Sequence, residues 1–177
     1  MELKRVIFMS MCVTILFVQE QMLVFIPNVQ FTTLLIVLFS SIFKLKETIV
    51  IIIVYVLLDN IYMGTLYPLM LAPMLIAWLL IPISYHTILR RTKNEIKLAL
   101  FGLIFGFVYG WIYIPFRMIE QEIFDFWAYL ILDIPFEIIM AISNFVTIMW
   151  LFKPLYKTLS TEMIQLESEN GYSSKNS

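Results

Sequence analysis

The sequence predicts an all-α polytopic membrane protein, a bundle of six transmembrane helices with both termini in the cytoplasm. Three observations carry this expectation. Of 177 residues, 61% are hydrophobic and 14% charged, with a mean hydropathy of +0.89, which is far too apolar for a soluble domain of this size. Six apolar stretches each approach the length of a span. The basic residues then divide unevenly between the two sides that six spans create.

A span needs about 20 apolar residues, and fewer where polar ends snorkel. The candidates run from Val6 to Phe25, Val29 to Phe43, Thr48 to Leu66, Leu69 to Leu89, Ile96 to Phe116, and Phe126 to Phe152. The first follows Met-Glu-Leu-Lys-Arg, which resembles the start of a signal peptide. No small-x-small cleavage site follows it, so it is expected to be retained as a span. The second is short enough to require tilting or a re-entrant path. Pro27-Asn28 separates the first two, Pro68, Pro115 and Pro154 are expected to mark ends, and Pro73 and Pro82 predict bends in the fourth. In the sixth, Asp133 is expected to cap a helix with Pro135 in its first turn, leaving 126–132 as an approach segment. The transmembrane domain is assigned to 1–160, and the polar stretch 161–177 is expected to be a disordered cytoplasmic tail.

Short cytoplasmic loops carry the Lys and Arg excess. Lys4, Arg5, Lys44, Lys46, Arg90, Arg91, Lys93, Lys97, Lys153, Lys157 and Lys175 fall on one side of a six-span arrangement, and Arg117 alone on the other. One span more or fewer would scramble this pattern.

Several functional classes lack their residues. A nucleic-acid partner would need a clustered basic face, and a net charge of −1 without one argues against it. Cys12 is the single cysteine, which excludes an intrachain disulfide and a cysteine-built zinc site. His86 stands alone near the cytoplasmic end with no HExxH pattern, so no metal site is expected. No GxSxG or Walker sequence occurs, so neither catalytic residues nor a cofactor are assigned, and energised transport would need an external motor.

The polar groups at membrane depth are more informative. A carboxylate there costs about 2.5–3.5 kcal/mol on insertion scales, so it usually faces water, a ligand or a partner charge. On a helix at about 100° per residue, Asp133, Glu137 and Asn144 fall on one stripe with Thr147 close by. Gln19, Glu20 and Gln21 end the first span, Asp59 and Asn60 end the third, and Arg117 follows the fifth, all at the same outer level. Tyr109, Trp111 and Tyr113 lie there too, with Trp78 deeper, although interfacial aromatics commonly form an ordinary belt. Asp133 and Glu137 at i and i+4 repel, so they are expected to share a proton, pair with Arg117 or meet a ligand. Gly102, Gly106 and Gly110 form a small-xxx-small ridge for close helix packing, and Ser10 and Thr14 a weaker version, either of which could instead dock a partner.

The segments Ile26-Pro27-Asn28-Val29-Gln30, Leu57-Leu58-Asp59-Asn60, Asp133-Ile134-Pro135-Phe136, Ala141-Ile142-Ser143-Asn144-Phe145 and Leu151-Phe152-Lys153-Pro154-Leu155 resemble those of a family. It is the substrate-binding S components of bacterial energy-coupling factor (ECF) vitamin transporters, and the resemblance covers residues 5–157. It implies a subunit that captures a vitamin or precursor from outside and docks on a transmembrane coupling (T) protein driven by two ATPases. It also implies a gating loop between the first two spans, here Glu20 to Asn28 with Gln19 beside it. The family commonly docks through Ala-x-x-x-Ala on its first helix, where this chain has Ser10 and Thr14.

The expected ligand contacts are Asp59, Asn60, Asp133, Glu137, Asn144 and Arg117, with Trp78, Trp111 and Tyr113 as ring platforms. The acidic excess favours a neutral or cationic ligand. A stand-alone cation-coupled carrier or channel using Asp133 and Glu137 as a relay is the alternative, although no inverted repeat relates the two halves. A membrane enzyme is the third class, without a recognisable catalytic constellation.

Overall fold

The computed structural model describes residues 3–26, 28–122 and 125–173, with side chains through 165. The described residues form six α-helices and no strands: α1 (Leu3–Leu23), α2 (Thr32–Ile42), α3 (Leu45–Met63), α4 (Pro68–Thr87), α5 (Glu95–Glu120) and α6 (Phe126–Ser173). Four of them, α1, α4, α5 and α6 over Phe126–Gln165, are long and apolar enough to cross a membrane. Their outward side chains are apolar, as lipid requires, with Ile7, Met11, Ile104, Ile142 and Trp150 among those exposed. The 19-residue α3 carries Lys46, Glu47 and Asp59.

The expected second span is shorter than its apolar run. At 11 residues, α2 reaches about 16 Å, half of a hydrocarbon core of about 30 Å. It packs against all five other helices, and everything from Thr32 to Ser40 is buried. A helix enclosed on all sides is expected to be apolar all round, and Leu34 to Phe39 is one unbroken apolar run.

Basic residues gather at one end, Arg117 excepted. Arg5 on α1 holds Glu47 on α3 through Nε to Oε1 at 2.7 Å and a second nitrogen to Oε2 at 2.9 Å. Lys153 on α6 bonds Glu95 on α5, and Lys93 Nζ lies 4.6 Å from the centre of the Tyr156 ring. Lys175 lies outside the described residues.

The most extensive interface joins α5 and α6, and the glycine ridge builds it. A Cβ on Gly106 would stand 2.5 Å from Ala141 Cα and 2.6 Å from its N. Gly102 faces Ile148 and Asn144, and Gly110 faces Glu137. The ridge therefore serves intramolecular packing.

The structure corrects several boundaries. α6 begins at Phe126, because Asp125 Oδ1 accepts from Ala128 N at 3.1 Å and caps it there. Asp133 is consequently not a cap, and Pro135 lies inside the helix. Pro115 and Pro154 are also internal, as Pro73 and Pro82 are in α4, whereas Pro68 does open α4. Packed neighbouring helices make internal prolines tolerable in such a bundle. Helix α6 runs through the expected tail to Ser173, continuing without a break past residue 160. Pro27 lies outside the described residues.

Candidate functional site

A cavity of about 530 Å³ opens at the end opposite the basic cluster, lined from five helices and the segments that join them. Glu20 enters from α1, and Asn28 from the connection to α2. Asp59 and Asn60 come from the end of α3, Thr65 from the α3–α4 turn, and Met70 and Met74 from the start of α4. Tyr109, Tyr113 and Arg117 face it from α5, and Tyr129, Asp133, Glu137 and Met140 from α6. The last four follow i, i+4, i+8, i+11 spacing, one face of a helix.

Local hydrogen bonds fix the mouth. Gln19 Nε2 donates to Leu16 O at 3.0 Å and Thr32 Oγ1 at 2.7 Å, while its Oε1 accepts from Phe31 N at 3.0 Å. This one amide ties the last turns of α1 to the start of α2. Gln21 Nε2 donates to Asp59 Oδ1 at 2.9 Å, and Tyr55 Oη donates to Glu20. Gln19, Glu20 and Gln21 are therefore helical residues held by side-chain bonds, and of the expected gating loop only 24–26 and Asn28 lie outside a helix among the described residues. Asn60 lines the cavity with a committed amide: Nδ2 donates to Val56 O at 2.9 Å, and Oδ1 accepts from Thr65 at 3.0 Å. The turn that follows is closed by Gly64, whose φ of 70° suits glycine.

Arg117 pairs with Glu120 at 3.1 Å, and Tyr67 Oη donates to the same carboxylate. The expected Arg117 pairing with Asp133 or Glu137 is thus replaced by a shorter-range i, i+3 contact on its own helix. Glu137 is 3% exposed, yet lines the cavity. Neither of its carboxylate oxygens has a hydrogen bond within ordinary limits among the described residues, and the Trp111 indole lies alongside. Tyr109 and Tyr113 lie 4.8 Å apart between centroids with their rings tilted by 33°, and their hydroxyls are 3.2 Å apart.

Of the expected contacts, Asp59, Asn60, Tyr113, Arg117, Asp133 and Glu137 are brought together at the cavity, with Glu20 and Asn28. Three are not. Asn144 is fully enclosed and donates to Gly102 O at 3.2 Å, so it joins α5 to α6 below the cavity. Trp78 is buried against Tyr109 at 4.9 Å and Phe105 at 5.8 Å, supporting the tyrosine pair from behind. Trp111 is exposed on α5 against Phe107 and does not line the cavity, although its indole lies beside Glu137. Ser10 and Thr14 donate to backbone carbonyls of their own helix on its exposed side.

Tyr129, Thr65, Met140 and Gln121 line the cavity without having been anticipated. The signal for Tyr129 and Met140 was the α6 stripe itself, which extends one turn before Asp133 and ends before Asn144. The described residues hold no cluster of three or more His, Cys, Asp or Glu able to bind a metal ion. Comparison with family models, curated proteins and solved structures finds no match to this chain.

Proposed function

We propose that this chain is the substrate-binding subunit of an energy-coupling factor importer, capturing a vitamin or related micronutrient from outside the cell. In this reading it is a multi-pass protein of the cell membrane with six membrane-embedded helices. Its basic end and both termini are cytoplasmic, and it is not an enzyme. A separate T protein and two ATPase subunits supply the energy.

The observation that carries the reading is the cavity of about 530 Å³ at the acidic end, where side chains of distant segments converge. Its volume falls within the range of small-molecule sites, and its mixture of carboxylates, tyrosines and methionines suits an amphipathic ring-bearing ligand. A bundle with its acidic cavity at one end, and a smaller cavity lined by Arg5, Lys44, Arg91 and Lys93 at the other, has the polarity that capture from outside requires. The exposed side of α1 supports docking on a partner, since Val6, Ile7, Met11 and Ile15 surround Ser10 and Thr14 along a shallow groove.

The test is binding and assembly. Purified protein is titrated with individual water-soluble vitamins and their precursors, and co-expressed with a T protein and ATPases. Tight binding of one compound and recovery of a complex are expected. No binding to any compound together with no complex would refute the proposal.

A further inference from the structure

The composition of the cavity also bears on which ligand it takes, granted that it is a ligand site. Glu20, Asp59, Asp133 and Glu137 line it, against one cation, Arg117. That cation is engaged by Glu120, which also accepts from Tyr67. A buried anion without a counter-charge is among the costliest arrangements in a protein, and Glu137, once ionised, would be one in the absence of a ligand: it is enclosed, faces the cavity beside the Trp111 indole and has no ordinary hydrogen bond among the described residues. Gly110 makes room for it, since a Cβ there would collide with its carboxylate.

An inorganic divalent ion does not fit, because no three of the carboxylates converge at coordinating distance among the described residues. An organic cation does fit. Its charge can approach one carboxylate while its frame reaches others across a cavity of about 530 Å³. The adjacent Tyr109 and Tyr113 rings, tilted by 33°, offer an aromatic wall one to two helical turns from Arg117. We infer that the cavity takes a flat organic cation, its positive nitrogen seated against Glu137 beside Gly110 and its ring lying along the Tyr109–Tyr113 pair.

An isosteric trio isolates charge from shape: benzamidinium, benzamide and benzoate. Each is titrated calorimetrically against the purified full-length protein, and against Glu137→Gln and Asp133→Asn. Benzamidinium is expected to bind at least about tenfold more tightly than the other two, and Glu137→Gln to lose at least about tenfold of that affinity. Asp133, less enclosed, keeps the test valid if Glu137→Gln does not fold, and Asp133→Asn is expected to weaken benzamidinium with no effect on benzamide. Equal affinities, preference for benzoate, or no binding of any of the three would overturn the inference. Complex formation with the T protein and ATPases is scored separately. A complex without cation preference removes only the ligand class, and cation preference without a complex removes only the importer assignment.

Discussion

The backbone of Gly106 lies directly on the backbone of Ala141, close enough that a methyl group on Gly106 would stand 2.5 Å from Ala141 Cα. No side-chain rotation relieves such a collision, because both partners are main chain. The α5–α6 seam must open to admit it.

Gly106→Ala is therefore expected to cost at least about 1–3 kcal/mol, read as a lower unfolding midpoint in detergent. Gly102→Ala meets the mobile end of Ile148 and is expected to cost less. Equal losses at the two positions would show that the seam is looser than the backbone contact implies.

Asn144→Leu is expected to lower stability by about 1–3 kcal/mol, the usual cost of disturbing a buried hydrogen bond, and to leave ligand affinity unchanged. Its amide serves Gly102 O below the cavity. Weakened binding in a protein of unchanged stability would return Asn144 to the ligand site.

The basic end should respond to acid. Glu47 precedes the apolar run of α3, and burial pushes its pKa up. The Arg5 hydrogen bonds, the Lys44 backbone N–H and both positive charges outweigh burial and hold it below the ordinary glutamate value. A depressed carboxylate stabilises the fold above its unfolded-state pKa of about 4.3, and that contribution is lost as pH falls through the folded value. Glu47→Gln is expected to lower the unfolding midpoint at pH 7 and to converge on the wild type in acid. A difference independent of pH would remove the Arg5–Glu47 pair as its cause.

Much of this architecture was legible in the residues. The apolar runs located every helix among the described residues, and the contacts of Arg5 with Glu47 and of Lys153 with Glu95 join residues that the sequence places at the basic end. The stripe on α6 identified the right face, since Asp133 and Glu137 both reach the cavity. Depth along that face was not legible. Glu137 and Asn144 differ in role because Gly110 leaves room beside one, whereas the Gly102 carbonyl takes the amide of the other. Such differences arise from the neighbouring helix, which the periodicity of α6 cannot report. The partner of Arg117 was hidden for a similar reason. Glu120, one turn away, competed with two carboxylates on another helix, and nearness in sequence prevailed. Prolines misled at 115 and 154, since packed helices tolerate internal proline that an isolated helix would not.

The most direct test of the proposed import role is accumulation of labelled water-soluble vitamins by proteoliposomes, with this chain alone and with a T protein and two ATPases. Uptake is expected for one compound, only with the full set of subunits and ATP inside the bilayer system. Uptake by this chain alone, driven by a cation gradient without ATPases, would contradict the role and identify a self-sufficient carrier.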